Sequence, residues 1–116
     1  MRLIEIQNQL QLKALTVPVN SESIEIRTGY TSDMLSCVMT GALSGSVWVT
    51  LMAHNNIVAV ASLLDIPAII ITENARPDEL TVARAREKEI ALLSTPRPTF
   101  EIVGKLWEMG IRAEDS

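Results

Sequence analysis

One histidine, one cysteine and a scatter of hydroxyls, carboxylates and cations carry whatever chemistry these 116 residues offer. His54 follows a β-rich run and precedes an apolar, helical one. There it can cap or line an interface, face a ligand, or act in catalysis. A metal at His54 would need carboxylate ligands, and no spacing of Asp and Glu supplies them, so neither a metal nor a cofactor is expected. The best recognition candidate is Thr72-Glu73-Asn74-Ala75-Arg76-Pro77-Asp78-Glu79. Arg76 can hold an anion beside the free amides of a helix start, or it can pair with Asp78 or Glu79. Ser94-Thr95, just ahead of Pro96, sets two hydroxyls in a similar place, for recognition or for capping. Cys37, within SDMLSCVMTGAL, reads as a small packed residue on a helix rather than a reactive thiol.

The usual catalytic signatures are missing. No phosphate loop of the G-x-x-x-x-G-K-[ST] type occurs, no G-x-G-x-x-G, no H-E-x-x-H and no G-x-S-x-G elbow. Gly41-Ala-Leu-Ser-Gly45 lacks a lysine and reads as a helix stop. Ser32-Asp33 has no histidine near it in sequence. A phosphotransfer role through His54 or Ser32 therefore depends on the fold bringing the two together.

Elements must position these groups. Leu3, Ile6 and Leu10 share helical spacing. Leu12–Val17 is an apolar run that ends at Pro18. Alternation over Ile24–Arg27 predicts a strand. Gly29 and Thr31-Ser32-Asp33 are expected to open a helix, with Thr31 or Ser32 as cap and Asp33 at the positive end of the dipole. Met34, Leu35, Val38 and Met39 are its expected buried stripe. Val47–Met52 predicts a buried strand, and Asn55 or Asn56 caps a helix reaching about Leu64. That helix is apolar all round, which calls for burial on several faces, in the core or in a subunit interface. Ile57, Val60 and Leu64 are the interface candidates. Pro67–Thr72 is a strand covered on both sides, as in a parallel sheet. A helix starts around Arg76-Pro77-Asp78-Glu79, with Pro77 in its first turn. Ile90–Leu93 is a further strand, and a last helix runs from Thr99 to about Met109. Short alternating units of this kind give an α/β domain, three layers deep, with a mainly parallel sheet. Residues 1 to 111 form that domain and 112 to 116 a polar tail. Ligands in such folds gather beyond the carboxyl ends of the strands. His54, Asn56, Thr72, Arg76, Ser94 and Thr95 are placed there.

Composition narrows the partners. Apolar residues make up 47%, charged residues 21% and aromatics 3%, so the core is aliphatic and the chain globular. A net charge of −4 with so few rings argues against a nucleic-acid partner. A lone cysteine excludes an internal disulfide and suits a reducing cytoplasm. No apolar run approaches the roughly 20 residues of a membrane span, and the amino terminus has no signal-peptide character.

Several segments together resemble a DRTGG domain: Gly29-Tyr30-Thr31-Ser32-Asp33-Met34-Leu35-Ser36, Val47-Trp48-Val49-Thr50, His54-Asn55-Asn56-Ile57-Val58-Ala59-Val60-Ala61, Ile70-Ile71-Thr72 with Arg76-Pro77-Asp78-Glu79, and Leu93-Ser94-Thr95 with Thr99-Phe100-Glu101. Order and spacing agree from about Ile24 to Ile111. Domains of this family resemble the amino-terminal domain of bacterial HPr kinase/phosphorylase and accompany CBS domains in some pyrophosphatases. The resemblance implies a small α/β domain, often paired with a copy of itself, with a regulatory or architectural role. Where relatives tend to carry glycines after the isoleucine run, this chain has Glu73-Asn74, although glycine would allow positive φ there. The expectation is a stand-alone, non-catalytic, homodimeric interaction module, with another regulatory or metabolic protein as a further partner. The alternative is a sensor of a nucleotide or other small anionic metabolite.

Overall fold

The apolar runs become strands and the periodic stretches become helices in a computed structural model that describes residues 1 to 114. In chain order they are α1 (Leu3–Leu10), β1 (Lys13–Thr16), a single 3-10 turn (Ser21–Ser23), β2 (Thr28–Thr31), α2 (Leu35–Gly41), β3 (Ser46–Thr50), α3 (Asn56–Leu63), β4 (Ala68–Ile71), α4 (Glu79–Glu87), β5 (Ala91–Ser94) and α5 (Thr99–Glu108). One five-stranded sheet results, in the order β1-β5-β4-β3-β2. β2 to β5 run parallel, and β1 closes the far edge antiparallel to β5. This is the α/β architecture with a mainly parallel sheet that the sequence predicts.

Both faces of the sheet are covered, which is why the strands read as unbroken apolar runs. Every residue of β3 and β4 is buried. On one face Val47, Val49, Ile70 and Leu93 pack with Leu3, Ile6 and Leu10 of α1 and Ile102 and Leu106 of α5. On the other, Trp48, Ile69, Ile71 and Leu92 pack with Val38 of α2, Ile57, Val58 and Ala61 of α3 and Ala85 of α4. The chain turns from α2 into β3 through Gly45, at φ 79°, where a side chain would be strained. Among the described residues no helix is long and apolar enough to cross a membrane.

Several local expectations are corrected. Ile24–Arg27 is not a strand: apart from a single bridge from Glu25 to Arg2, pairing begins at Thr28. The alternation there reflects Ile24 and Ile26 packing beside α1 without a sheet partner. Gly29 and Thr31 belong to β2, and α2 opens only at Leu35. Neither Thr31 nor Ser32 caps it in the expected way, because the cap position is Met34 and carries no side-chain cap bond. Thr31 Oγ1 instead donates to the Val49 carbonyl at 2.7 Å. Of the expected stripe only Val38 is buried; Met34 and Met39 are at least half exposed. Cys37 is exposed rather than packed, with its thiol 3.7 Å from the Met34 sulfur.

On α3, no asparagine side chain caps the helix. Ile57 and Val60 are spent inside the domain, at 0% and 9% exposure, so an intersubunit role for them is not what the fold offers. Leu64 is half-buried against the same core. The helix instead exposes Leu63. Pro77 lies just before α4, whose cap is Asp78. Of the expected polar tail, residues 115 and 116 lie outside the described residues. Arg112 is tied to the sheet edge, its carbonyl accepting from Gly29 N at 3.0 Å and Thr28 Oγ1 at 2.7 Å.

Candidate functional site

Parallel strands place their carboxyl ends, and the helix starts that follow them, along one edge of the sheet. β1 runs the other way and brings its amino end to the same edge, setting Lys13 beside Ser94 in register. Between β1, β5 and the loop after β4 lies a pocket of about 330 Å³. Gln11, Lys13, Asn74, Arg76, Ser94 and Thr95 line it, with Leu15, Val82, Pro77 and Pro96 as apolar walls.

The loop that shapes this pocket passes through two successive left-handed residues, Glu73 (φ 60°) and Asn74 (φ 59°). That is the backbone glycine adopts freely, reached here without glycine. Hydrogen bonds hold it: Glu73 N donates to the Arg97 carbonyl at 2.9 Å and Asn74 N to the Thr95 carbonyl at 3.2 Å. The Glu73 carboxylate reaches across and accepts from Thr99 N at 2.8 Å, so it closes the amino end of α5. Asp78 is engaged in the same way at α4, accepting from Thr81 N at 2.8 Å and Thr81 Oγ1 at 2.7 Å. The Thr81 hydroxyl and amide hold the Asp78 carboxyl below its ordinary range, with a smaller contribution from nearby His54.

The expected site residues divide into two groups. Arg76, Ser94 and Thr95 meet at the pocket. Thr95 is buried and its hydroxyl accepts from Arg97 N at 3.2 Å. Thr72 is buried too, and its hydroxyl is shared between the Thr50 carbonyl and Thr99 Oγ1, 3.4 and 2.5 Å away, which ties the end of β3 to the start of α5. His54 and Asn56 are exposed on the β3–α3 connection and do not line the pocket. Lys13 and Gln11 are the residues sequence reading misses, while Asn74 lies in the loop it singled out. Lys13 sits in an apolar run, and only the antiparallel pairing of β1 with β5 turns it toward this edge.

Among the described residues, His54 forms no hydrogen bond with Ser32 or Asp33 along the edge. Asp33 Oδ1 accepts from Thr50 Oγ1 at 2.7 Å and Leu51 N at 2.8 Å. The Ser32 hydroxyl accepts from Met34 N at 3.1 Å. Both are committed to local structure, and His54 is hydrogen-bonded to neither. Among the described residues no cluster of three or more His, Cys, Asp or Glu could hold a metal ion. A second depression, about 190 Å³, lies between β2 and α5. Its walls are apolar, from Tyr30, Val49, Val103, Leu106 and Trp107, and its one charge, Arg112, lies over the Trp107 ring at 4.6 Å.

No family model and no curated protein matches the chain. A solved structure does: the CBS and DRTGG domains of the regulatory region of Clostridium perfringens pyrophosphatase, complexed with the activator diadenosine tetraphosphate. The TM-score is 0.72 at 16% sequence identity, over 88% of this chain and 44% of that one. The present chain thus spans under half the length of that region. What the two share at such identity is the fold, and the DRTGG-like domain read from the sequence is the fold observed.

Proposed function

We propose that the chain is a non-catalytic regulatory module that pairs with a copy of itself through the carboxyl edge of its sheet. The observation that carries this is the apolar content of that edge. Met34, Leu51, Leu80 and Phe100 all sit at strand ends or first helical turns there, and their exposures run from 43 to 91%. Exposed large apolar side chains sharing one edge support a contact surface there. The hydroxyls and carboxylates nearby serve the backbone, which supports a binding role over a chemical one. The fold likeness to a pyrophosphatase regulatory region agrees with the same reading. Light scattering at micromolar concentration tests it: a dimer mass is expected, and Leu80→Asp with Phe100→Asp should give a folded monomer. A strict monomer in the unaltered protein overturns the reading.

A second reading, a sensor of a small anionic ligand, is favoured by the pocket. Its rim carries Lys13 and Arg76. The two readings are compatible, since a ligand can set the state of an assembling module.

A further inference from the structure

The geometry points to the Lys13–Arg76 pocket as a binding site for a small organic phosphate, of mononucleotide size or less, held through its phosphate. This deepens the sensor reading and rests on it. Lys13 and Arg76 come from different elements, β1 and the β4–α4 loop, yet line one pocket. Neither has an ion-pair or hydrogen-bond partner among the described residues. Of the carboxylates near Arg76 in sequence, Glu73 accepts from Thr99 and Asp78 from Thr81, and neither these nor Glu79 lines the pocket. The charged side chains that line the pocket, Lys13 and Arg76, are thus both cations, on a chain whose net charge is −4.

Two cations lining one pocket repel each other, and a ligand carrying more than one negative charge relieves that repulsion. A phosphate monoester carries about −1.5 to −2 at neutral pH and three acceptor oxygens. An Arg fork and a Lys ammonium can share those oxygens, and the Ser94 hydroxyl and the Asn74 and Gln11 amides add neutral donors. The volume, about 330 Å³, is at the small end of the roughly 300–1,000 Å³ typical of ligand pockets, which favours a monomeric metabolite. Leu15, Val82 and the two prolines offer an apolar wall for its body.

Titration of the 15N-labelled protein with AMP, adenosine, sodium phosphate and succinate tests the site. AMP and phosphate should shift the amides of Lys13, Asn74, Arg76 and Ser94, and adenosine should leave them unmoved. Lys13→Gln and Arg76→Gln should each weaken AMP roughly tenfold, the loss expected for a charge-assisted hydrogen bond. Both side chains are exposed and unpartnered, so the melting temperature of either variant should stay put. Succinate binding more tightly than phosphate overturns the phosphate class. Shifts centred on His54 or Trp107 overturn the site and leave the sensor reading standing. Silence from all four probes overturns both, while the dimer reading is decided separately by light scattering.

Discussion

Glu73 shows how one residue can do the work of two. Its backbone is left-handed, which costs a non-glycine residue about 1 kcal/mol or more, and its carboxylate closes α5, a contribution of about the same size. The two nearly offset each other. Glu73→Gly should therefore change stability little, because the strain and the cap go together. Glu73→Ala keeps the strain and loses the cap, and it should be the less stable of the two by about 1 kcal/mol in urea unfolding. Equal stabilities for the two variants would mean that the left-handed turn is free of strain. Asp78 offers a test in pH. Its carboxyl is held below the ordinary value by Thr81 first and His54 last. A lowered folded-state pKa gives stability that is present above the unfolded value and lost as pH falls through the folded one. Asp78→Asn keeps a cap oxygen but no charge. Its deficit in melting temperature should be visible at neutral pH and close in acid, below the usual carboxylate pKa of about 3.9. At this scale the sequence was a partial guide. Arg76, Ser94 and Thr95 meet at one pocket, as strand ends that are easy to locate in the sequence allow. The partner of the Thr72 hydroxyl, Thr99, is not legible in the sequence, because it is set by tertiary contact.

Elements were more legible than side chains. β3, β4 and β5 announce themselves as aliphatic runs, and their burial on both faces follows from that pattern. For α3 the sequence leaves core and interface open, and most of its apolar residues pack against β3 and β4. β1 was the least visible. Its direction cannot be read from LKALTV, and it is the antiparallel pairing that completes the pocket. The pairing carries an irregularity between Ala14 and Thr16. Thr16 fills it with its side chain: Oγ1 donates to the Ile90 carbonyl at 2.6 Å and accepts from Leu92 N at 2.9 Å, all of it buried. Thr16→Val preserves shape and leaves a buried N–H and carbonyl without that partner. The cost should be about 1–3 kcal/mol by chemical denaturation, with Thr16→Ser recovering most of it. If Val is neutral there, the hydroxyl is not what holds β1 in place. Because Lys13 hangs from this strand, Thr16→Val should also weaken AMP binding, tying edge pairing to the site.

At the scale of the whole molecule, the pocket and the exposed apolar residues open on the same edge, so the proposed pairing and ligand binding are expected to be coupled. A dimer formed through that edge brings two copies of the Lys13–Arg76 pair toward each other. Like charges oppose that approach, and a bound anion removes the opposition. Ligand binding and self-association should then favour each other, and linkage requires the factor to be the same in both directions. Sedimentation equilibrium with and without saturating AMP measures it. The dimer should tighten by about 5–150-fold, the range of typical coupling energies. Raising ionic strength without ligand should also tighten the dimer, because salt screens the same repulsion. In Lys13→Gln with Arg76→Gln, dimerisation should be strong from the start and indifferent to AMP. If AMP weakens the dimer, the phosphate and the partner compete for one surface, and the module is switched off, not on, by its ligand. If AMP binds and the dimer constant does not move, the apolar edge and the charged pocket are separate devices that merely share a face of the sheet.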